Sequence, residues 1–134
     1  MTPLNQYRIL YAEDDEDSRQ MVSLMCKFTG IEVVAAQTVA EAWRAAQSSH
    51  FDLYLLDIRF SDGDGFELCR RLREYAPHTP ILIYSGCAFE DDKKKGFAAG
   101  ASDYLTKPYL GDLAVTIREN IKLTKKPSRE TMAI

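Results

Sequence analysis

Phe51-Asp-Leu-Tyr-Leu-Leu-Asp57 is a short apolar run that closes on a carboxylate, and a Gly/Asp-rich loop, Ser61-Asp-Gly-Asp-Gly65, follows almost at once. The run is nearly free of polar alternation. A strand with one wet face alternates, whereas a strand covered on both faces of a parallel sheet does not. The run therefore demands a layered α/β architecture and delivers one ionised group to the C-terminal edge of the sheet. Ligands and chemistry collect at that edge in open α/β folds. An aspartate placed there is a ligand, a nucleophile or a structural cap.

Four further strand-like stretches complete such a sheet: Tyr7–Ala12, Ile31–Ala35, Ile81–Ser85 and Ser102–Thr106. Helical patterns alternate with them. The first opens in Asp15-Glu-Asp17, favourable at a helix N-terminus. It places Met21, Leu24, Met25 and Phe28 at core spacing and stops at Gly30. The second opens on the capping box Thr38-Val-Ala-Glu41 and is expected to bury Val39, Ala42, Trp43 and Ala46. The third follows Gly65, with Cys69, Leu72 and Ala76 on one face and Pro77 beyond its end. The fourth, about Phe89 to Ala99, carries Lys93-Lys-Lys95 and Gly96, a costly residue in a helix interior, and is expected to be the most mobile element. The fifth aligns Leu110, Leu113, Ala114, Ile117 and Ile121.

This alternation predicts a single (βα)5 domain over residues 1–123, a doubly wound parallel sheet with helices on both faces. Residues 124–134 read as a polar tail or the start of a linker. With the flavodoxin-like strand order 2-1-3-4-5, the switch point lies between the first and third strands. The ends of those two strands, Glu13-Asp14 and Asp57, then meet.

The chain has 134 residues, 46% apolar and 28% charged, which suits one globular core. A formal charge of −3 gives no nucleic-acid footprint. The apolar runs fall far short of a membrane span, and the first residues lack a signal-peptide pattern, so a cytoplasmic protein is expected. Cys26, Cys69 and Cys87 have no metal-like spacing and read as reduced thiols, the first two on apolar helix faces. His50 and His78 stand alone near loops. Asp62-Gly-Asp-Gly65 fails as a calcium loop because Phe66 stands where another acidic ligand is needed.

Four features converge on the expected edge: Glu13 and Asp14, Asp57, Ser85, and Lys107-Pro108. Carboxylates crowded in one pocket repel, so a pKa rises unless a cation joins them. A hard ion such as Mg²⁺, held by one or two carboxylates and waters, resolves the repulsion. Lys107 can pair with Asp57 or with a phosphoryl oxygen on it, and Ser85 offers a hydroxyl. An ionised Asp57 needs no general base to attack phosphorus.

Ile9-Leu-Tyr-Ala-Glu-Asp14, Leu55-Leu-Asp57, Asp64-Gly65, Ile83-Tyr-Ser-Gly86, Gly100-Ala-Ser-Asp-Tyr104 and Lys107-Pro108, in this order, resemble the receiver domain of two-component response regulators. The resemblance covers Arg8 to Leu123. It implies that Asp57 accepts a phosphoryl group from a histidine kinase or histidine phosphotransferase. It also implies a Mg²⁺ ion held by Asp14, Asp57 and the backbone carbonyl of Arg59, with Glu13 reaching it through water. Ser85 and Lys107 would hold the phosphoryl group, Tyr104 would be the switch aromatic, and the Lys107–Pro108 bond would be cis. The signalling surface would be helix four, strand five and helix five, read by a downstream protein rather than by DNA, and a homodimer is compatible with this.

Two positions depart from the family's usual pattern. Ser61 replaces a frequent proline, which predicts a looser loop, and Arg59 is a long cation where small polar residues are common. Arg59 and Cys87 occupy positions that would tune the lifetime of the acyl phosphate. Two other readings compete. An aspartate-nucleophile phosphohydrolase needs an acid two residues after the nucleophile, where this chain has Arg59. A pseudo-receiver that takes no phosphate sits poorly with Glu13, Asp14, Asp57, Ser85 and Lys107 all being present.

Overall fold

The structure is a computed structural model that describes residues 6–87, 89–109 and 111–125, with Lys125 described by its backbone alone. In chain order its elements are β1 (Tyr7–Ala12), α1 (Glu16–Cys26), β2 (Ile31–Ala36), α2 (Val39–Ser48), β3 (Leu53–Leu56), β4 (Arg59–Phe60) and β5 (Gly63–Asp64). Then follow α3 (Gly65–Tyr75), β6 (Ile81–Ser85), α4 (Glu90–Ala98), β7 (Asp103–Thr106) and α5 (Leu113–Lys125). Five strands form one parallel sheet in the order β2-β1-β3-β6-β7, and β4 and β5 pair as a separate antiparallel ribbon. Counted along the large sheet alone, the order is 2-1-3-4-5, as the sequence predicts.

Alternate residues of each strand feed two cores. Leu10, Leu56 and Ile83 pack with Leu68, Leu72 and Ala46 on one face, while Ile9, Tyr11, Leu55 and Leu82 pack with Val22, Ile117 and Ile121 on the other. Because both faces are covered, all four residues of β3 are buried and no alternation survives in the sequence. No helix of the described residues is long and apolar enough to cross a membrane.

Several local expectations need correction. In α1 the buried residues are Val22 and Cys26, whereas Met21, Leu24 and Phe28 lie 57%, 65% and 80% exposed. The helix stops at Cys26, so Phe28 falls beyond it, and of two apolar stripes the narrower one meets the sheet. The loop after Asp57 is tied rather than loose. It forms the β4–β5 ribbon, and the Asp62 carboxylate accepts from the Val39 and Ala40 amides at 2.9 and 3.1 Å, closing the N-terminus of α2. Gly96 is buried, and a Cβ there would stand 2.8 Å from Ile83 Cδ1 and 3.0 Å from Tyr104 Cδ2. It serves close approach of α4 to the sheet. α5 runs two residues past Leu123, while Leu110 and the rest of the predicted tail lie outside the described residues.

Candidate functional site

The sheet order brings four strand ends together. The Asp57 amide donates to Ala12 O at 2.9 Å, and the Lys107 amide donates to Ser85 O at 2.8 Å. β1 thus presents Glu13 and Asp14, β3 presents Asp57, β6 ends on Ser85, and Lys107 leaves β7 through a cis bond to Pro108. Gly65 permits the tightest approach. A Cβ on it would fall 2.2 Å from Asp57 O and 2.4 Å from Ile58 Cα, so the start of α3 rests directly on the Asp57 backbone. The Gly65 amide donates to Ile58 O at 2.9 Å, and the Ile58 amide donates to Asp57 Oδ1 at 2.7 Å.

Lys107 is the centre of the charge arrangement. Its Nζ donates to Glu13 Oε1 and lies 3.4 Å from Asp57 Oδ2. Its ammonium also stands 5.2 Å from the centroid of the Tyr84 ring. Burial pulls this amine down, but the carboxylates of Glu13 and Asp57 together outweigh it, and its pKa sits above the ordinary lysine value. Glu13 is almost fully buried, and burial pushes its carboxyl up to about 7, with Asp57 adding to the rise and Lys107 opposing it. The sequence expectation that one carboxyl of the group would rise is met at Glu13, chiefly through desolvation.

The acidic run divides by role. Asp15 caps α1, its Oδ2 accepting from the Ser18 amide at 2.9 Å, while Asp14 is exposed at the mouth of the edge. Ser85 is buried, and its Oγ accepts from the Cys87 amide at 3.2 Å. Tyr104 points inward and donates its hydroxyl to Cys87 O at 2.5 Å; burial pushes its phenol up to about 12. Cys87, half-buried, therefore links Ser85 and Tyr104 through its backbone. Arg59 lies exposed on β4, facing Asp64 across the ribbon. His50 stays outside this site, near Asp52 at 3.5 Å.

Three contributors escape the sequence reading. Tyr11 donates to Glu13 Oε1 at 3.4 Å, Arg19 Nη1 donates to Glu13 O at 2.9 Å, and Tyr84 underlies Lys107. The signal for Tyr11 is positional, since it lies two residues before Glu13 and so on the same side of the strand.

The donor set suits a hard cation, because the groups at the mouth are carboxylates and backbone carbonyls. Among the described residues no three acidic, His or Cys side chains are grouped closely enough to enclose an ion. Glu13 is engaged by Lys107 and Asp14 is exposed. The residues fit an ion taking one or two carboxylates and completing its shell with water, which is how Mg²⁺ is commonly held.

Comparison with known proteins agrees with this geometry. The response regulator receiver domain family matches residues 9–118. This chain belongs to that family. Receiver chains of known structure superimpose closely. The Francisella response regulator 1452 receiver domain is 28% identical with a TM-score of 0.82, covering 90% of this chain and 100% of its own. The CheY-like receiver protein from Methanospirillum hungatei is also 28% identical, with a TM-score of 0.83, covering 92% and 98%. Among curated proteins, the cell cycle transcriptional regulator CtrA of Caulobacter vibrioides is 39% identical over 105 residues, 78% of this chain and 46% of that protein. CtrA of Brucella ovis is 38% identical over 105 residues, 78% of this chain and 45% of its own. The receiver therefore spans about half the length of the curated relatives that it matches.

Proposed function

We propose that this receiver is a phosphorylatable switch in which Asp57 takes a phosphoryl group from a phosphohistidine of a histidine kinase or phosphotransferase. A carboxylate oxygen of Asp57 attacks phosphorus, the P–N bond breaks as the O–P bond forms, and the electron pair leaves with the imidazole nitrogen. Asp57 needs no general base, so catalysis reduces to positioning and charge neutralisation. Bound Mg²⁺, held by Asp14, Asp57 and the Arg59 carbonyl with Glu13 acting through water, would screen the charge on the phosphoryl oxygens. Lys107 supplies the fixed cation beside the nucleophile. Ser85, whose hydroxyl oxygen accepts from the Cys87 amide, donates its hydroxyl hydrogen to a phosphoryl oxygen. Arg59 and Cys87, flanking the acceptor, tune how fast water cleaves the acyl phosphate.

The added charge, up to about −2 at neutral pH, biases two arrangements of the nearby loops. When Ser85 moves, the bond from Tyr104 to Cys87 O is the neighbouring link that must adjust, which directs the change to the α4–β7–α5 surface. A downstream protein reads that surface. We place the protein in the cytoplasm, in keeping with its free cysteines.

The observation carrying this reading is the Lys107 ammonium shared between Asp57 and buried Glu13 at the switch point. The test is to incubate the chain with acetyl phosphate or phosphoramidate and Mg²⁺ and to weigh it intact. A single phosphate adduct, absent from Asp57→Asn, is expected. No adduct under any condition refutes the switch and leaves a pseudo-receiver, while steady phosphate release from varied monoesters indicates a hydrolase.

A further inference from the structure

We propose that Tyr84 is a positioning residue for phosphoryl transfer: the face of its ring keeps the Lys107 ammonium beside Asp57 while the hydrogen bond of that ammonium passes from Glu13 to a phosphoryl oxygen. This role rests on the proposed phosphorylation of Asp57. The sheet register puts the ring in place. Ala12, Leu56, Ile83 and Tyr104 stand level across β1, β3, β6 and β7. The next rank is therefore Glu13, Asp57, Tyr84 and Leu105, so Tyr84 shares a rank with both carboxylates of the site. Tyr84 and Leu105 pack into the core that also holds Tyr11 and Leu55, and Lys107 follows two residues past Leu105, on the same side.

Lys107 belongs to the end of β7, yet its ammonium meets Asp57 at the end of β3, two strand spacings or roughly 10 Å away. β6 lies between the two, so the lysine stem crosses β6, and the side chain under that crossing is Tyr84. The ammonium ends 5.2 Å from the ring centroid and 3.4 Å from Asp57 Oδ2. Tyr84 is 9% exposed, so the contact is largely shielded from water, where attraction between a cation and a ring is strongest.

The chemistry of the transfer favours an aromatic at this place. In the resting chain the ammonium donates to Glu13 Oε1 and lies beside Asp57. To neutralise a phosphoryl group it has to change acceptor without leaving the site. A carboxylate at position 84 would compete for the cation, and an aliphatic side chain would carry the stem but not attract the charge. A ring face attracts the cation through its quadrupole and has no fixed acceptor atom, so the ammonium can shift over it. A charge-assisted hydrogen bond to a phosphoryl oxygen is stronger, and the ring yields to it. Tyr11, wholly buried, donates its hydroxyl to Glu13 at 3.4 Å. The two tyrosines thus divide the pair: Tyr11 holds the carboxylate, and Tyr84 holds the amine.

The test varies the electrons of the ring at nearly constant shape, which a purely packing role would not register. Adduct formation from phosphoramidate and Mg²⁺ should stay within about twofold in Tyr84→Phe and slow about fivefold to tenfold in Tyr84→Leu. Mono-, di- and trifluorophenylalanine placed at position 84 withdraw charge from the ring face, and the rate should fall stepwise along that series. A second readout needs neither metal nor phosphate. In carbon–proton NMR the Lys107 methylene next to the ammonium, identified by its loss in Lys107→Arg, should lie upfield in the wild type and Tyr84→Phe and move back in Tyr84→Leu. Circular dichroism verifies that each variant folds. A wild type that forms no adduct refutes the switch on which this role rests. A wild type that forms the adduct at a rate shared by Tyr84→Leu or by the whole fluorinated series overturns only the role of Tyr84, as does a Lys107 methylene signal unmoved in Tyr84→Leu.

Discussion

Glu13 should make the stability of this receiver fall as pH rises through neutrality, and the size of the fall follows from its position. The carboxyl is 1% exposed, and its pKa lies at about 7 in the folded chain against an ordinary 4.5. Burial is the main cause, Asp57 adds to it, and Lys107 works against it. A group with a raised folded pKa binds its proton more tightly in the native state, so between the two values the native chain holds more protons than the unfolded one. Stability then declines as pH rises from about 4.5 through about 7. At roughly 1.4 kcal/mol per unit, Glu13 alone makes the chain about 3 kcal/mol less stable at pH 8 than below its unfolded pKa. Glu13→Gln keeps the size and removes the titration. Urea unfolding in EDTA, followed by Trp43 fluorescence, should show the variant gaining on the wild type by up to about 3 kcal/mol between about pH 5 and 8. Groups remote from Glu13 contribute equally in both proteins and cancel from the difference. Lys107→Met, by removing the opposing cation, should carry the decline to still higher pH. Added Mg²⁺ should flatten the wild-type decline by favouring the ionised carboxyl. Parallel pH profiles for wild type and Glu13→Gln would refute the reasoning.

Gly65→Ala drives a methyl group into the Asp57 and Ile58 backbone and should cost about 3 kcal/mol in urea unfolding while slowing adduct formation at Asp57; an unperturbed variant contradicts the close approach. Arg73 joins two loops, its Nε donating to Gly100 O at 2.9 Å and its Nη2 to Ser102 Oγ at 3.3 Å in one, and its Nη1 to Thr79 O at 2.7 Å in the other. Arg73→Met should lose about 3 kcal/mol and raise amide exchange around Gly100–Ser102, and unchanged exchange there counts against the clamp.

The parallel sheet was legible because its signal is local. β1 and β6 begin and end where their apolar runs do, and β3, buried on both faces, shows no alternation. The site was legible because strand order follows from the βα alternation, and order alone brings Glu13, Asp57, Ser85 and Lys107 to one edge. The misreadings arise where periodicity ranks residues without knowing their neighbours. α1 carries two apolar sets, Val22, Met25 and Cys26 on one side and Met21 and Leu24 on another, while Phe28 lies past its end. The sheet admits the first. The sequence pattern places Glu13 at the edge but does not show its carboxylate turned onto Lys107 beside the Tyr11 hydroxyl.

The loop after Asp57 shows how a missing residue is replaced by contacts that no sequence window contains. With Ser61 in place of proline, nothing local restrains the segment that carries the Arg59 carbonyl. Restraint comes instead from the Arg59–Asp64 and Phe60–Gly63 pairing and from Asp62, whose carboxylate reaches residues 22 and 23 positions earlier. Asp62 thereby satisfies two amides at the start of α2 that Thr38, capping the Glu41 amide at 3.0 Å, cannot reach. Gly63 packs against the same corner, where a Cβ would stand 3.3 Å from Val39 Cγ2. The loop and α2 are thus one mechanical unit. A loose loop is therefore not what would shorten the life of phospho-Asp57. Under the proposed phosphorylation of Asp57, the residues left to set its lifetime are Arg59, whose side chain is exposed, and Cys87, whose backbone joins Ser85 to Tyr104.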